Sequence, residues 1–207
     1  MELLFLPVLV ALLTGSVAYG IAYSRTRNRL VAGLVVHRNA CWYTPLLLIL
    51  MWPVFNMRMG HSGVDYIQFN NVAHDLFYGL LVGALLGYAT LSFANWIGRR
   101  YPGYTGSMQR SFSDMIGLLL IAPVIEEIIF RGYGYDLSST LGMTAGVLIT
   151  SMAFALWHMN PYLTVPAFLF GLVASGLYLY TQSLFAPIVA HAVSNFAYWR
   201  WSESYRS

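Results

Sequence analysis

The residues of this chain that could do chemistry stand inside apolar stretches. The run Pro123-Val124-Ile125-Glu126-Glu127-Ile128-Ile129-Phe130-Arg131 sets two adjacent carboxylates and a guanidinium in a segment otherwise composed for burial. At mid-bilayer each such charge costs on the order of 2.5–3.5 kcal/mol on insertion scales, too much for neutral decoration. Glu127 and Arg131 are four residues apart, so they share a helix face and can pair. Glu126 lies about 100° further round the helix and lacks that partner. It is the carboxylate left for general-base chemistry. The plainer reading of the same residues is a structural ion pair that holds helices together. Pro123 takes the helical donor from the Leu119 carbonyl, which predicts a local kink that admits water.

Two further segments repeat the four-residue spacing. Phe154 and His158 share one face, and His191 and Asn195 share another. A single histidine in a helix is ordinarily a hydrogen-bonded core residue. Three polar-bearing helices in the C-terminal half are a stronger pattern, because such groups face the bundle interior and must find partners there. Nucleophilic catalysis is a poorer fit. Ser194 lacks the strand-turn-helix context of a nucleophile elbow. Cys41, the one cysteine, borders an early span and leaves the redox compartment unread. His37, His61 and His74 fall in loops or at span ends, and Asp114 reads as first-turn compensation of a helix dipole.

The elements that carry these residues follow from composition. Of 207 residues, 58% are hydrophobic and 9% charged, with a mean hydropathy of +0.60. A soluble domain carries roughly a quarter charged residues. Disorder, collagen and disulfide scaffolds are excluded with it. Runs long enough to cross a bilayer fall at roughly 3–23, 42–57, 72–96, 112–139, 142–159, 162–181 and 185–201. The expectation is an all-α, polytopic membrane bundle of about seven transmembrane helices, one integral-membrane domain over 1–207. The first run is followed by Arg25, Arg27 and Arg29 in the manner of a stop-transfer segment, so it reads as a helix and not a cleaved signal.

Arginine supplies the whole positive charge, eleven residues without one lysine. Nine of them (25, 27, 29, 38, 99, 100, 110, 200 and 206) fall on one side of this topology. By the positive-inside rule that side is cytoplasmic, with the N-terminus outside and the C-terminus in the cytoplasm, as expected for the plasma (inner) membrane. No basic cluster exceeds Arg99-Arg100, so the pI near 9.0 orients the chain in lipid and offers no nucleic-acid surface. Depth tests whether the motifs can meet. A fourth helix running on to Ser139, with Gly142 in the turn, puts Glu126 about 13 residues before the turn and His158 about 16 after it, within one helical turn in depth. Asn160-Pro161 then starts the sixth helix and Pro187 the seventh.

Glu-Glu-x-x-x-Arg at 126–131, Phe-x-x-x-His at 154–158 and His-x-x-x-Asn at 191–195 together resemble the CPBP family of CAAX-processing and bacteriocin-processing intramembrane endopeptidases, also called the Abi family. The resemblance covers about 112–201. It implies a glutamate-type protease that hydrolyses a peptide bond of a membrane-tethered protein or peptide near its C-terminal end. It maps the catalytic glutamate to Glu126, the catalytic histidine to His158, and the oxyanion-stabilising pair to His191 and Asn195. Glu127 and Arg131 support the site. No cofactor is expected. Zinc ranks second, since two histidines and two glutamates suit it by ligand type but asparagine ligates it poorly. The competing readings are a non-catalytic immunity or scaffold protein and a di-histidine haem protein. The Glu-Glu-x-x-x-Arg motif has no role in haem ligation.

Overall fold

Glycine at every fourth position lets the longest helix approach a partner closely. In the computed structural model, residues 16–17, 19–27, 32, 49, 52–53, 56–57, 60, 63–69, 71–100, 112–158 and 161–204 are described. Helix α1 spans Val72–Arg100 and carries Gly79, Gly83 and Gly87 on one face. That face meets the last helix, whose range is Phe185–Ser204. A Cβ on Gly79 would lie 2.8 Å from the Ala186 carbonyl oxygen, and one on Gly83 2.8 Å from that of Ala190. A Cβ on Gly87 would stand 2.9 Å from the Ala197 Cβ. The contacts climb both helices in the same sense, so the two run parallel, backbone against backbone, as small residues in membrane helices allow. Arg99 and Arg100 on one and Arg200 on the other therefore emerge at the same end of the bundle.

Helix α2 occupies 112–139, the span expected from the sequence, and its register alternates. It is α-helical at Phe112–Ile116, π-helical at Gly117–Ile121, α-helical at Ala122–Glu127, π-helical at Ile128–Tyr133 and α-helical at Gly134–Ser139. The kink expected at Pro123 takes the form of the first π turn. Gly142 (φ +99°) turns the chain into α3, Met143–Trp157, which packs antiparallel to α2. Helix α4, Pro161–Thr181, returns alongside α3, and α5 is the helix Phe185–Ser204. Pro187 is thus the third residue of α5 and not its first. It is still within the first turn, where no intrahelical acceptor awaits its missing N–H. Asn160 lies outside the described residues. Pro161 opens α4 as expected.

The interior is aromatic. Phe130 meets Phe154 edge-on at 5.3 Å and Trp157 at 5.8 Å, with Phe170 tilted against Phe154 at 5.7 Å. At the end away from Arg99 and Arg200, the segment before α1 is stapled to the rest. The Leu184 N–H donates to the Tyr66 carbonyl at 3.0 Å, Ser183 Oγ to the Gln68 carbonyl at 2.6 Å, and the Tyr66 hydroxyl to Asp136. Burial first, and then the bond to Asp136, push the Tyr66 phenol above its ordinary pKa.

Among the described residues there is no strand, so the all-α expectation holds. Two helices, α1 and residues 163–181 of α4, are long and apolar enough to cross a membrane. The expected count of seven spans is not established. The runs 3–23 and 42–57 fall largely outside the described residues, as do Arg29, Arg38, Arg58, Arg110, Arg206, Cys41, His37 and His61. Among the rest, α2 and α5 carry the charged and polar groups of the motifs. Helix α3, at 15 residues, reaches only about 22 Å against a hydrocarbon core of about 30 Å.

Candidate active site

The site begins with a carbonyl that proline leaves without a donor. In the first π turn the Ala122 N–H returns to the Gly117 carbonyl, five residues back. In that register the donor due to the Leu118 carbonyl belongs to residue 123, a proline with no N–H. Asn195 Nδ2 donates to it from α5 at 2.9 Å. The vacancy expected at Leu119 has thus moved one residue, and an amide from another helix fills it. π turns of this kind recur at functional sites because they rotate the following residues out of strict α register.

Beyond that turn the two carboxylates diverge as their adjacency requires. Glu126 faces a cavity of about 100 Å³. Glu127, fully buried, faces the helix packing, where Arg131 Nη1 donates to its Oε1 at 3.1 Å. The pair read from the i,i+4 spacing is therefore present. It is not fully satisfied by hydrogen bonds, since Glu127 Oε2 and Arg131 Nε and Nη2 have none. Rings stand in for the missing partners. The guanidinium carbon lies 4.2 Å from the Phe154 ring centroid and 5.6 Å from that of Phe170, placements that attract a desolvated cation.

His191 docks between the two glutamates. Its Nδ1 is 2.7 Å from Glu127 Oε1, and its Nε2 is 3.9 Å from Glu126 Oε2. The second separation is beyond direct hydrogen bonding and is wide enough for one water to bond both atoms. His158 caps the C-terminus of α3, its Nδ1 donating to the Phe154 carbonyl at 2.9 Å. Phe154 thus has three tasks: its carbonyl fixes one histidine, its face covers Arg131, and its edge meets the His191 ring at 5.6 Å.

Glu126, His158, His191 and Asn195 all line the one cavity, drawn from α2, the end of α3, and α5. Glu127 and Arg131 stand behind it. Sequence reasoning missed Thr90, Trp157 and Tyr198, which share the lining, and set aside Ser194, which lines it too. Thr90 carries no signal in an apolar helix. Ser194, three residues after His191, lies on the same helix face and was visible in principle. Sequence reasoning also missed the bond from His191 to Glu127, two residues 64 apart. A metal fits this arrangement poorly. Among the described residues no three His, Cys, Asp or Glu side chains are grouped so as to hold one ion, and both histidines direct Nδ1 at protein acceptors.

Residues 108–197 match the family model of the type II CAAX prenyl endopeptidase, Rce1-like. No curated protein and no solved structure matches the chain. The matched segment opens just before α2 and closes within α5, so it contains the Glu-Glu-x-x-x-Arg, Phe-x-x-x-His and His-x-x-x-Asn motifs whole. The family and the two long apolar helices together point to a membrane-embedded peptidase. Residues 108–197 are thus similar to the Rce1-like type II CAAX prenyl endopeptidases, the group that the three motifs resemble.

Proposed function

We propose that the protein is an intramembrane endopeptidase that hydrolyses a peptide bond near the C-terminal end of a membrane-tethered protein or peptide. The observation that carries this reading is the convergence of Glu126, His158, His191 and Asn195 on a single cavity. Glu126 takes a proton from a water molecule as that water attacks the scissile carbonyl. His158, whose Nδ1 proton is held by the Phe154 carbonyl, offers Nε2 as the acceptor that orients the water and relays its proton to the leaving amine. As the carbonyl oxygen becomes negative it is met by donors on α5. Asn195 Nδ2 has two N–H groups and uses one on Leu118, leaving the second for that oxygen. Glu127 and Arg131 hold the site's geometry from behind.

In this reading the chain is a multi-pass membrane protein with its arginine-bearing end in the cytoplasm. The cavity residues Trp157, His158 and Leu163 lie where α3 passes to α4, at that same end. A substrate tail entering from the cytoplasmic leaflet reaches Glu126 without crossing the bundle. The family name supplies the first probe, an internally quenched farnesylated peptide ending in a CAAX tetrapeptide, with the purified full-length protein in detergent. Wild type is expected to cleave it and Glu126→Gln to leave it intact while folded. Full biological function in both Glu126→Ala and Glu126→Gln would instead make the chain a scaffold or immunity protein. Hydrolysis is expected to survive exhaustive chelation, since the donors do not converge on a metal position. Loss on chelation with recovery on added zinc would replace the metal-free mechanism.

A further inference from the structure

Both cavity histidines are tied at the same ring nitrogen, but by different kinds of acceptor. His158 Nδ1 meets a backbone carbonyl, and His191 Nδ1 meets the Glu127 carboxylate, at 2.7 Å. That carboxylate oxygen, Glu127 Oε1, also accepts from Arg131 Nη1. A neutral imidazole has one N–H, and its position follows from the bond the other nitrogen does not make. The reverse assignment, a protonated Glu127 donating to Nδ1, would strip the buried Arg131 cation of the carboxylate charge it is bonded to. We propose that Glu127 is the positioning residue of His191: it keeps a proton on Nδ1, so that Nε2 is the nitrogen turned to Glu126 and the cavity, and His191 donates to a substrate oxygen only after Nε2 has itself been protonated.

The last clause rests on the protease reading; the tautomer assignment stands without it. It changes what the oxyanion role implied by the resemblance requires of His191, since a neutral imidazole has one N–H to give. That N–H is already bonded to Glu127. Glu126, Glu127, Arg131 and His191 form a cluster in which every member is less than a tenth exposed. The groups facing His191 are Glu126, Glu127 and Arg131 from α2, His158 after α3, and the rings of Phe154 and Phe170. Helix α1 meets this part of α5 through glycine and adds no charge.

The test is nitrogen NMR of the full-length protein labelled with ¹⁵N-histidine in detergent, with the His191 signals assigned by their loss in His191→Gln. In wild type the Nδ1 signal is expected to stay that of a protonated nitrogen as pH rises, with Nε2 the site that loses its proton. In Glu127→Gln the side-chain amide can donate or accept, and the single tautomer is expected to give way to a mixture. The double variant Glu127→Leu with Arg131→Met removes both charges without stranding either, and His191 is expected to move to the Nε2–H form. On the farnesylated peptide Glu127→Gln is expected to lower kcat by about 10²–10⁴-fold, as loss of an orienting carboxylate does in other hydrolases, with KM unchanged. A wild-type His191 carrying its neutral proton on Nε2, or a tautomer unchanged in both variants, overturns the assignment. Peptide hydrolysis that persists in Glu126→Gln overturns the protease reading and leaves the tautomer result intact.

Discussion

The two ends of the bundle treat their polar groups in opposite ways. At the end bearing Gly142 and Ser183, polar atoms find one another: Tyr66 with Asp136, Ser183 with Gln68, Leu184 with Tyr66. Those bonds tie the segment before α1 to α2 and to the turn between α4 and α5, and work as staples. Toward the arginine-bearing end, Glu126 and the Nε2 of His191 stop short of each other at 3.9 Å around a cavity. In a low-dielectric interior an incomplete network is costly, and it is retained where water or a reacting group completes it. A completed network holds the fold; an uncompleted one is a place for chemistry.

That contrast can be broken by substitution. The largest effect belongs to Glu126→Gln, which keeps size and loses the base. Peptide hydrolysis is expected to fall on the order of 10⁴-fold, the upper range for a general base, with the thermal unfolding midpoint little changed. Arg131→Ala comes next and acts on the support. Leaving Glu127 buried without its cation, with His191 as its remaining partner, costs about 3–5 kcal/mol, visible as a lowered midpoint in detergent. Replacing Glu127 and Arg131 together by apolar residues is expected to recover part of that loss, and a double variant no more stable than the single would refute the pairing.

Asn195→Ala sharpens the boundary between the two kinds of region, because Asn195 belongs to both. Loss of an oxyanion donor lowers kcat by about 10²–10³ with KM nearly constant. Loss of the bond to the Leu118 carbonyl subtracts about 1 kcal/mol of stability. Asn195→Asp is expected to be worse in turnover, since its charge repels the developing oxyanion. Unfolding in step with lost activity, or normal turnover, would confine Asn195 to its structural bond. Tyr66→Phe, at the stapled end, is the smallest change. It should cost about 1.5–3 kcal/mol of stability for a lost bond to a carboxylate, with kcat per folded molecule unaltered.

Much of this was legible along the chain, wherever the information is local to one helix. The span 112–139, the turn at Gly142 and the pairing of Glu127 with Arg131 follow from periodicity and i,i+4 spacing. So does the divergence of Glu126 from its neighbour. What the chain conceals is how helices face one another. Nothing near Glu127 says that a histidine 64 residues on will share its oxygen with Arg131. Pro123 announces a break, but a π turn and a kink are alternative ways to accommodate it, and only the acceptor on Leu118 together with Asn195 distinguishes them. Ser194 was set aside for lacking an elbow, a sound objection to a nucleophile that says nothing about lining a cavity.

The glycine face of α1 also bears on how the molecule is made. Gly83 and its partner Ala190 are 107 residues apart in the chain. At ordinary translation speeds of about 5–20 residues per second, roughly 5–20 s separate their synthesis. Throughout that interval α1 stands in the bilayer with its closest-packing surface covered by nothing that will finally cover it. Helix α5, carrying His191 and Asn195, must then seat against a glycine face that leaves no room for a Cβ on α1. Under the proposed protease function, a newborn copy is inert until α5 is seated against α1, because α5 carries His191 and Asn195.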